Sequence, residues 1–191
     1  MSLSYFAVTV LLSLLGQRTD PDLYCDAPEH ARLCDVARDA ATAVESATRL
    51  PFDGPAANEA STVLLLSIAW HESIQFRADV QTCGLKGDHG RSITNYQLHV
   101  GPARGVHSEA ELCDPDAGNL LASRLALRWL ARYARRGSLT GIVRGYAGGE
   151  GIGSREIDAT VRTQLLRAGV VQCPRGGELR VALRGDACDP L

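Results

Sequence analysis

Residues Val63-Leu64-Leu65-Leu66-Ser67-Ile68-Ala69-Trp70 form an apolar run with almost no polar face. A helix that is hydrophobic all round belongs in a core, so a buried central helix is predicted from about Ala56 to Ser73. The preceding segment, Leu-Pro-Phe-Asp-Gly-Pro at 50–55, is a break. Residues 26–49 are rich in Ala, Arg, Asp and Val, and predict a helix that begins after Pro28. Periodicity disappears over 77–118, where Gly84, Gly87, Gly90, Gly101 and Gly105 interrupt the pattern. That region reads as a long loop with a short hairpin, and long loops in compact domains usually carry function. The helical pattern returns over Asn119–Arg136, with Leu121, Leu125 and Trp129 on one face. Ser138 is expected to cap a short helix running to about Gly145, and Ser154 another that stops near Gly169. Leu179, Val181 and Leu183 alternate with Arg180, Ala182 and Arg184, the pattern of a short strand. The expected fold is mainly α, α+β at most, with a Gly-rich loop and short hairpin inserted between helices.

Composition supports a folded chain. Of 191 residues, 45% are hydrophobic and 22% charged, ordinary globular usage that can bury a proper core. The formal net charge of -2 predicts no general attraction to nucleic acid or anionic membranes. The apolar stretch from Tyr5 to Leu15 is too short to span a bilayer as a helix. It has the length of a signal-peptide core, but no Lys or Arg precedes it and no Ala-x-Ala site follows. Residues 1–24 are therefore read as a signal or anchor, with a helix packed on the domain as the alternative. Residues 25–172 form the domain itself, and 173–191 a tail bracketed by cysteines.

Six cysteines occur, none in a Cys-x-x-Cys pair, so the usual zinc and redox spacings are absent. Disulfides in an oxidising compartment are the simpler reading, which places the protein as secreted, periplasmic or cell-wall associated. Of fifteen possible pairings, the local set Cys25–Cys34, Cys83–Cys113 and Cys173–Cys188 is expected, because each closes a loop or a chain end.

Glu72 is the candidate for chemistry. Leu65, Ile68, Ala69 and Glu72 share one helical face, so the carboxyl continues an apolar stripe. Desolvation there, and the partial negative charge of a helix C-terminus, both favour the protonated form. A general acid for glycosidic oxygen needs that property. The plain alternative is a glutamate turned to solvent at a helix end. A zinc site of the His-Glu-x-x-His type fails at Gln75.

Four segments in order resemble the soluble lytic transglycosylase family, relatives of goose-type lysozyme. Ala69-Trp70-His71-Glu72-Ser73-Ile74-Gln75-Phe76 is similar to its Glu-Ser segment followed by an aromatic. The stretch 87–97, ending Thr94-Asn95-Tyr96-Gln97, resembles the Gly-rich turn into Gly-Leu-Met-Gln. Leu120–Tyr133 resembles the helix before the last motif, and 138–149, with Tyr146, resembles Ala-x-x-Tyr-Asn-x-Gly. The resemblance covers about residues 56–150 and implies a lysozyme-like helical domain with a substrate groove. It implies cleavage of the MurNAc–GlcNAc bond of peptidoglycan strands by Glu72 as single acid/base; a monomer without cofactor or metal is expected. It further implies that Ser73 helps hold Glu72, that Gln97 and Tyr146 line the groove, and that the substrate's N-acetyl group replaces a second carboxylate. Ser92 falls inside the second segment and is taken, with Ser73 and Tyr96, as a substrate contact. Two positions depart from the pattern: Thr94 stands where glycine is expected, and Ala147 where asparagine is expected. These departures motivate the alternative of a weak or inactive glycan-binding scaffold of the same fold.

Other chemistry is less well supported. Cys83 or Cys113 as a nucleophile has no local motif, and His89, His99 and His107 lack metal-ligand spacing. Asp79 and Asp88 are candidate second carboxylates if the enzyme hydrolyses. Arg124, Arg128, Arg132 and Arg136 recur every four residues and read as a solvated face that also suits anionic wall polymers. Trp70, Trp129 and Tyr133 read as core residues, and Tyr96 and Tyr146 as sugar-stacking candidates.

Overall fold

The structure is a computed structural model that describes residues 1–87, 89, 91–99, 108–173 and 179–185. The described residues are mainly helical, with two small antiparallel sheets of two strands each. The helices are α1 (Leu3–Leu15), α2 (Pro21–Cys25), α3 (Ala31–Glu45), α4 (Ala57–Glu72), α5 (Ala78–Gln81), α6 (Glu109–Leu112), α7 (Gly118–Tyr133), α8 (Leu139–Tyr146) and α9 (Ile152–Arg167). Strands β1 (Ser92–Ile93) and β2 (Leu98–His99) form the hairpin expected in the Gly-rich region, and β3 (Val170–Gln172) pairs with β4 (Val181–Leu183).

Helix α4 is the centre of the molecule, as its all-apolar pattern predicts. Every residue from Ala60 to Ala69 is buried. It packs against α1, α3, α7 and α9. The N-terminal apolar stretch is helix α1, which buries Phe6, Ala7, Val8, Val10, Leu11 and Leu12 against α3 and α4. No helix among the described residues is long and apolar enough to cross a membrane.

The interior of α4 also holds hydroxyls. Ser61, Thr62 and Ser67 are buried with no side-chain partner among the described residues. A buried polar atom left without a bond costs more than the methyl that replaces it. We therefore expect Ser67→Ala to leave the fold unchanged and raise stability by up to about 1 kcal/mol. Chemical denaturation of the two proteins checks this, and a clear loss of stability in the variant refutes it.

Several ends of elements follow local chemistry. Ser138 caps α8 by accepting from the Gly141 N–H at 3.0 Å, as expected. The cap of α9 is a correction: the helix begins after Gly151, and Ser154 lies inside its first turn. The Ser154 hydroxyl turns back to bond the Gly151 N–H and C=O, so the residue closes the turn from within. Gly169, at φ +74°, ends α9 in the left-handed conformation that glycine takes without a Cβ penalty. The 77–118 region also contains α5 and α6, two helices too short to leave a periodic trace. The C-terminal hairpin is pinned under the start of α4, where Asp53 and Ala56 N–H groups donate to Leu179 and Val181 carbonyls.

Cys25–Cys34 and Cys83–Cys113 are disulfides, with Cα atoms 5.8 Å apart in each. Cys173 is also disulfide-bonded, and Cys188 lies outside the described residues. Such bonds fit an oxidising compartment.

Candidate active site

Glu72 is the last residue of α4, where the buried helix reaches the surface, and it is half-buried. The chain then turns sharply. Ile74, Gln75 and Phe76 all have positive φ, 53°, 62° and 60°, a full turn of left-handed backbone without a glycine. That conformation costs roughly 1–2 kcal/mol per non-glycine residue. Surrounding bonds hold it. Ser73 is wholly buried, and its hydroxyl donates to the Ala69 carbonyl at 2.5 Å and accepts from the Phe76 N–H at 2.8 Å. Phe76 fills the core, and Arg32 donates to its carbonyl at 3.1 Å. Backbone strain of this kind concentrates at functional sites, where the surroundings over-determine the geometry.

Glu72 opens onto a cavity of about 510 Å³, a size typical of ligand sites. Three elements build its walls. Helix α7 contributes Leu125, Trp129 and Tyr133, one stripe at i, i+4 and i+8. The hairpin contributes Tyr96, Gln97, Leu98 and His99, and the end of α8 contributes Gly145, Tyr146, Ala147 and Gly148. Among the described residues that line it, Glu72 is the only carboxylate.

The expected site residues divide into two groups. Glu72, Tyr96, Gln97 and Tyr146 meet at this cavity. Ser73 and Ser92 do not line it. Both are buried, Ser73 bracing the turn after Glu72 and Ser92 pairing its backbone with Gly87. Their expected role as substrate contacts is corrected to support. Tyr96 is corrected as a stacking surface too. It is 1% exposed, and its hydroxyl lies 3.0 Å from that of Ser123, which leaves no ring face for a sugar.

Tyr96 instead positions a neighbour. The Tyr146 hydroxyl donates to the Tyr96 carbonyl at 2.7 Å. Burial raises the Tyr146 pKa well above 10, and the nearby Glu72 carboxylate pushes the same way, so the phenol stays a neutral donor. A polar chain continues behind the hairpin. Asn95 donates to Asn119 at 3.1 Å, and Asn119 donates to Asp39 on α3 at 2.7 Å.

Gln97 is fixed from two sides. Its φ is 46°, and its side-chain amide donates to the Thr94 carbonyl at 3.3 Å. A Cβ on Gly87 would lie 2.1 Å from Gln97 Oε1, so a larger residue there would displace the end of this side chain. Thr94, where the resemblance expects glycine, has φ 69° and is buried outside the lining. The loop keeps the left-handed conformation that glycine would adopt more cheaply.

Trp129 and Tyr133 are the residues that sequence reasoning assigned to the core. Both are half-buried cavity walls, with ring centroids 6.2 Å apart. Arg132 lies over the Trp129 ring and Arg136 over the Tyr133 ring, each 5.2 Å from the centroid. An available signal was the pairing of each aromatic with an arginine three residues on, which marks a wet edge rather than a core face.

Gly145 makes the Tyr133 wall possible. A Cβ there would sit 2.4 Å from the Tyr133 ring. Gly145→Ala is expected to push the ring into the cavity and lower stability by about 1–3 kcal/mol. Thermal denaturation and ligand binding to the variant check this, and unchanged values in both contradict it.

Of the candidate second carboxylates, Asp79 is absent from the lining and is held by Arg77 through bonds of 3.0 and 2.5 Å, which lower its pKa. Asp88 lies outside the described residues, as does His107. No family model matches the chain, and no curated protein or solved structure matches it.

Next to Glu72, His71 faces away toward α9, with Nε2 2.9 Å from the Thr160 hydroxyl. Burial lowers its pKa below 6.5, and Glu156 opposes this more weakly. A depressed folded-state value means the unfolded chain binds the proton more readily. His71 thus contributes stability above pH 6.5 that is lost as pH falls through that value toward the folded-state pKa. His71→Gln should remove this part of the acid sensitivity. Melting temperatures of both proteins from pH 8 to 5 test it, and parallel curves refute it.

Proposed function

We propose that the chain cleaves the MurNAc–GlcNAc glycosidic bond of bacterial peptidoglycan, with Glu72 as general acid/base. The observation that carries this reading is one half-buried carboxylate on the wall of an aromatic-lined cavity of about 510 Å³. The family resemblance of the segments around Glu72, Gln97 and Tyr146 supports the substrate class.

In the proposed reaction, sugar rings lie against Trp129 and Tyr133, while the Gln97 amide bonds polar groups of the glycan. Glu72 gives its proton to the glycosidic oxygen as the C1–O bond breaks, and the GlcNAc hydroxyl leaves. The carbonyl oxygen of the MurNAc N-acetyl group attacks C1 from the other side, taking the place of a second carboxylate. Glu72, now a carboxylate, removes the proton of the C6 hydroxyl, whose oxygen closes on C1 as the bond from C1 to the acetamido oxygen breaks, restoring the N-acetyl group and giving a 1,6-anhydro end. This is lytic transglycosylase chemistry, and water in place of that hydroxyl makes the enzyme a muramidase. The disulfides suit a protein that works outside the cytoplasm, as a secreted or wall-associated monomer.

Incubation with purified sacculi, followed by mass spectrometry of released fragments, tests the reading. Anhydro-ended or hydrolysed muropeptides are the expected result. Binding to sacculi with no released fragment would overturn catalysis in favour of a glycan-binding scaffold.

A further inference from the structure

A second cavity, of about 290 Å³, lies between the end of α3 and another face of α7. Four arginines line it: Arg49, Arg124, Arg128 and Arg132. All four are exposed, whereas Leu127 and Ala131 beneath them are buried. No ion pair among the described residues holds any of the four. Arg124 acts electrostatically on Asp39, which Asn119 already engages. Like charges at i, i+4 repel, so Arg124, Arg128 and Arg132 form a row that an unliganded helix has reason to avoid. The chain as a whole carries a formal charge of -2, so this concentration is local.

We propose that this cavity binds the phosphate groups of an anionic polymer whose phosphodiesters are joined by aliphatic polyol units. Guanidinium groups match phosphate oxygens with paired N–H bonds. Successive arginines along the row rise by about 6 Å, which sets one positive fork per repeat of a short-linked chain. Among the described residues, the lining includes aliphatic Ala43, Leu127 and Ala131 and no aromatic side chain. Single-stranded nucleic acid is held by stacking bases on aromatics, so its phosphates would come without a platform for the bases. Arg132 also lies over Trp129, which lines the Glu72 cavity, so one residue joins the two surfaces. The proposal does not rest on glycan cleavage.

Fluorescence anisotropy of end-labelled poly(glycerol phosphate) with the full chain tests it. The expected result is binding that weakens as salt rises, and that falls at least tenfold in the Arg124→Glu/Arg128→Glu double variant. The neutral Arg124→Gln/Arg128→Gln pair should give a smaller loss, and an Arg155→Glu/Arg167→Glu control on α9 should bind as the parent does. Glu72→Gln should bind the polymer normally, which separates this result from any failure of catalysis. Absence of binding, or undiminished binding by both double variants, overturns the proposal. So does equal or tighter binding of polyglutamate or of an oligonucleotide of the same charge.

Discussion

Glu72→Gln should fold as the parent does and lose glycan cleavage by about 100- to 10,000-fold, the range that general acid–base groups contribute. Gln keeps the shape of the side chain and removes both the transferable proton and the carboxylate that would take one back. Glu72 is half-buried at the end of α4, so no core packing depends on its charge, and the melting temperature should hold. The loss should lie in kcat, because the walls proposed to hold the sugar come from α7, the hairpin and α8 and remain in place. Sacculus digestion rates beside thermal melts give both readings. More than a tenth of parental activity in the variant would remove Glu72 from the mechanism. A large fall in melting temperature would instead assign it a structural part.

The second large effect is expected from the Cys83–Cys113 bond. It closes a separation of 30 residues that contains the hairpin with Tyr96 and Gln97. Loop-closure entropy gives about 3.6 kcal/mol for that length. The same argument gives about 2.6 kcal/mol for Cys25–Cys34, with its separation of 9. Cys83→Ser/Cys113→Ser should therefore lower the melting temperature by roughly 10 °C. It should also weaken glycan binding, since the hairpin wall holds Gln97 beside Glu72. The Cys25→Ser/Cys34→Ser pair should cost less and leave binding largely intact, because α2 and α3 do not border the cavity. Equal losses from the two pairs would refute the argument.

What could be read in advance differs by residue for physical reasons. Helix α4 was legible because burial on all sides demands an unbroken apolar run. The Ser138 cap was legible because capping is a local bond. Ser154 misled because the same hydroxyl satisfies backbone groups equally well from inside the first turn, and glycine at 151 left no side-chain signal. The turn at 74–76 was not legible at all: Ile, Gln and Phe have no local preference for the left-handed region, and buried partners force it. Trp129 was misassigned, and Tyr133 packs on the core while also walling the cavity, because an apolar stripe shows only that a face is not bathed in water. Whether another helix covers that face, or a cavity does, depends on where distant segments settle.

The one-dimensional pattern thus determined the helical class, the buried central helix, the hairpin between glycines and the prominence of Glu72. Tertiary structure decided that α7 offers its aromatic stripe to the space beside that carboxyl, that Ser73, Ser92 and Tyr96 brace the site from within, and that four arginines gather around a second hollow. The reason is range: helix period and caps act within a few residues, whereas a cavity exists only between elements far apart along the chain.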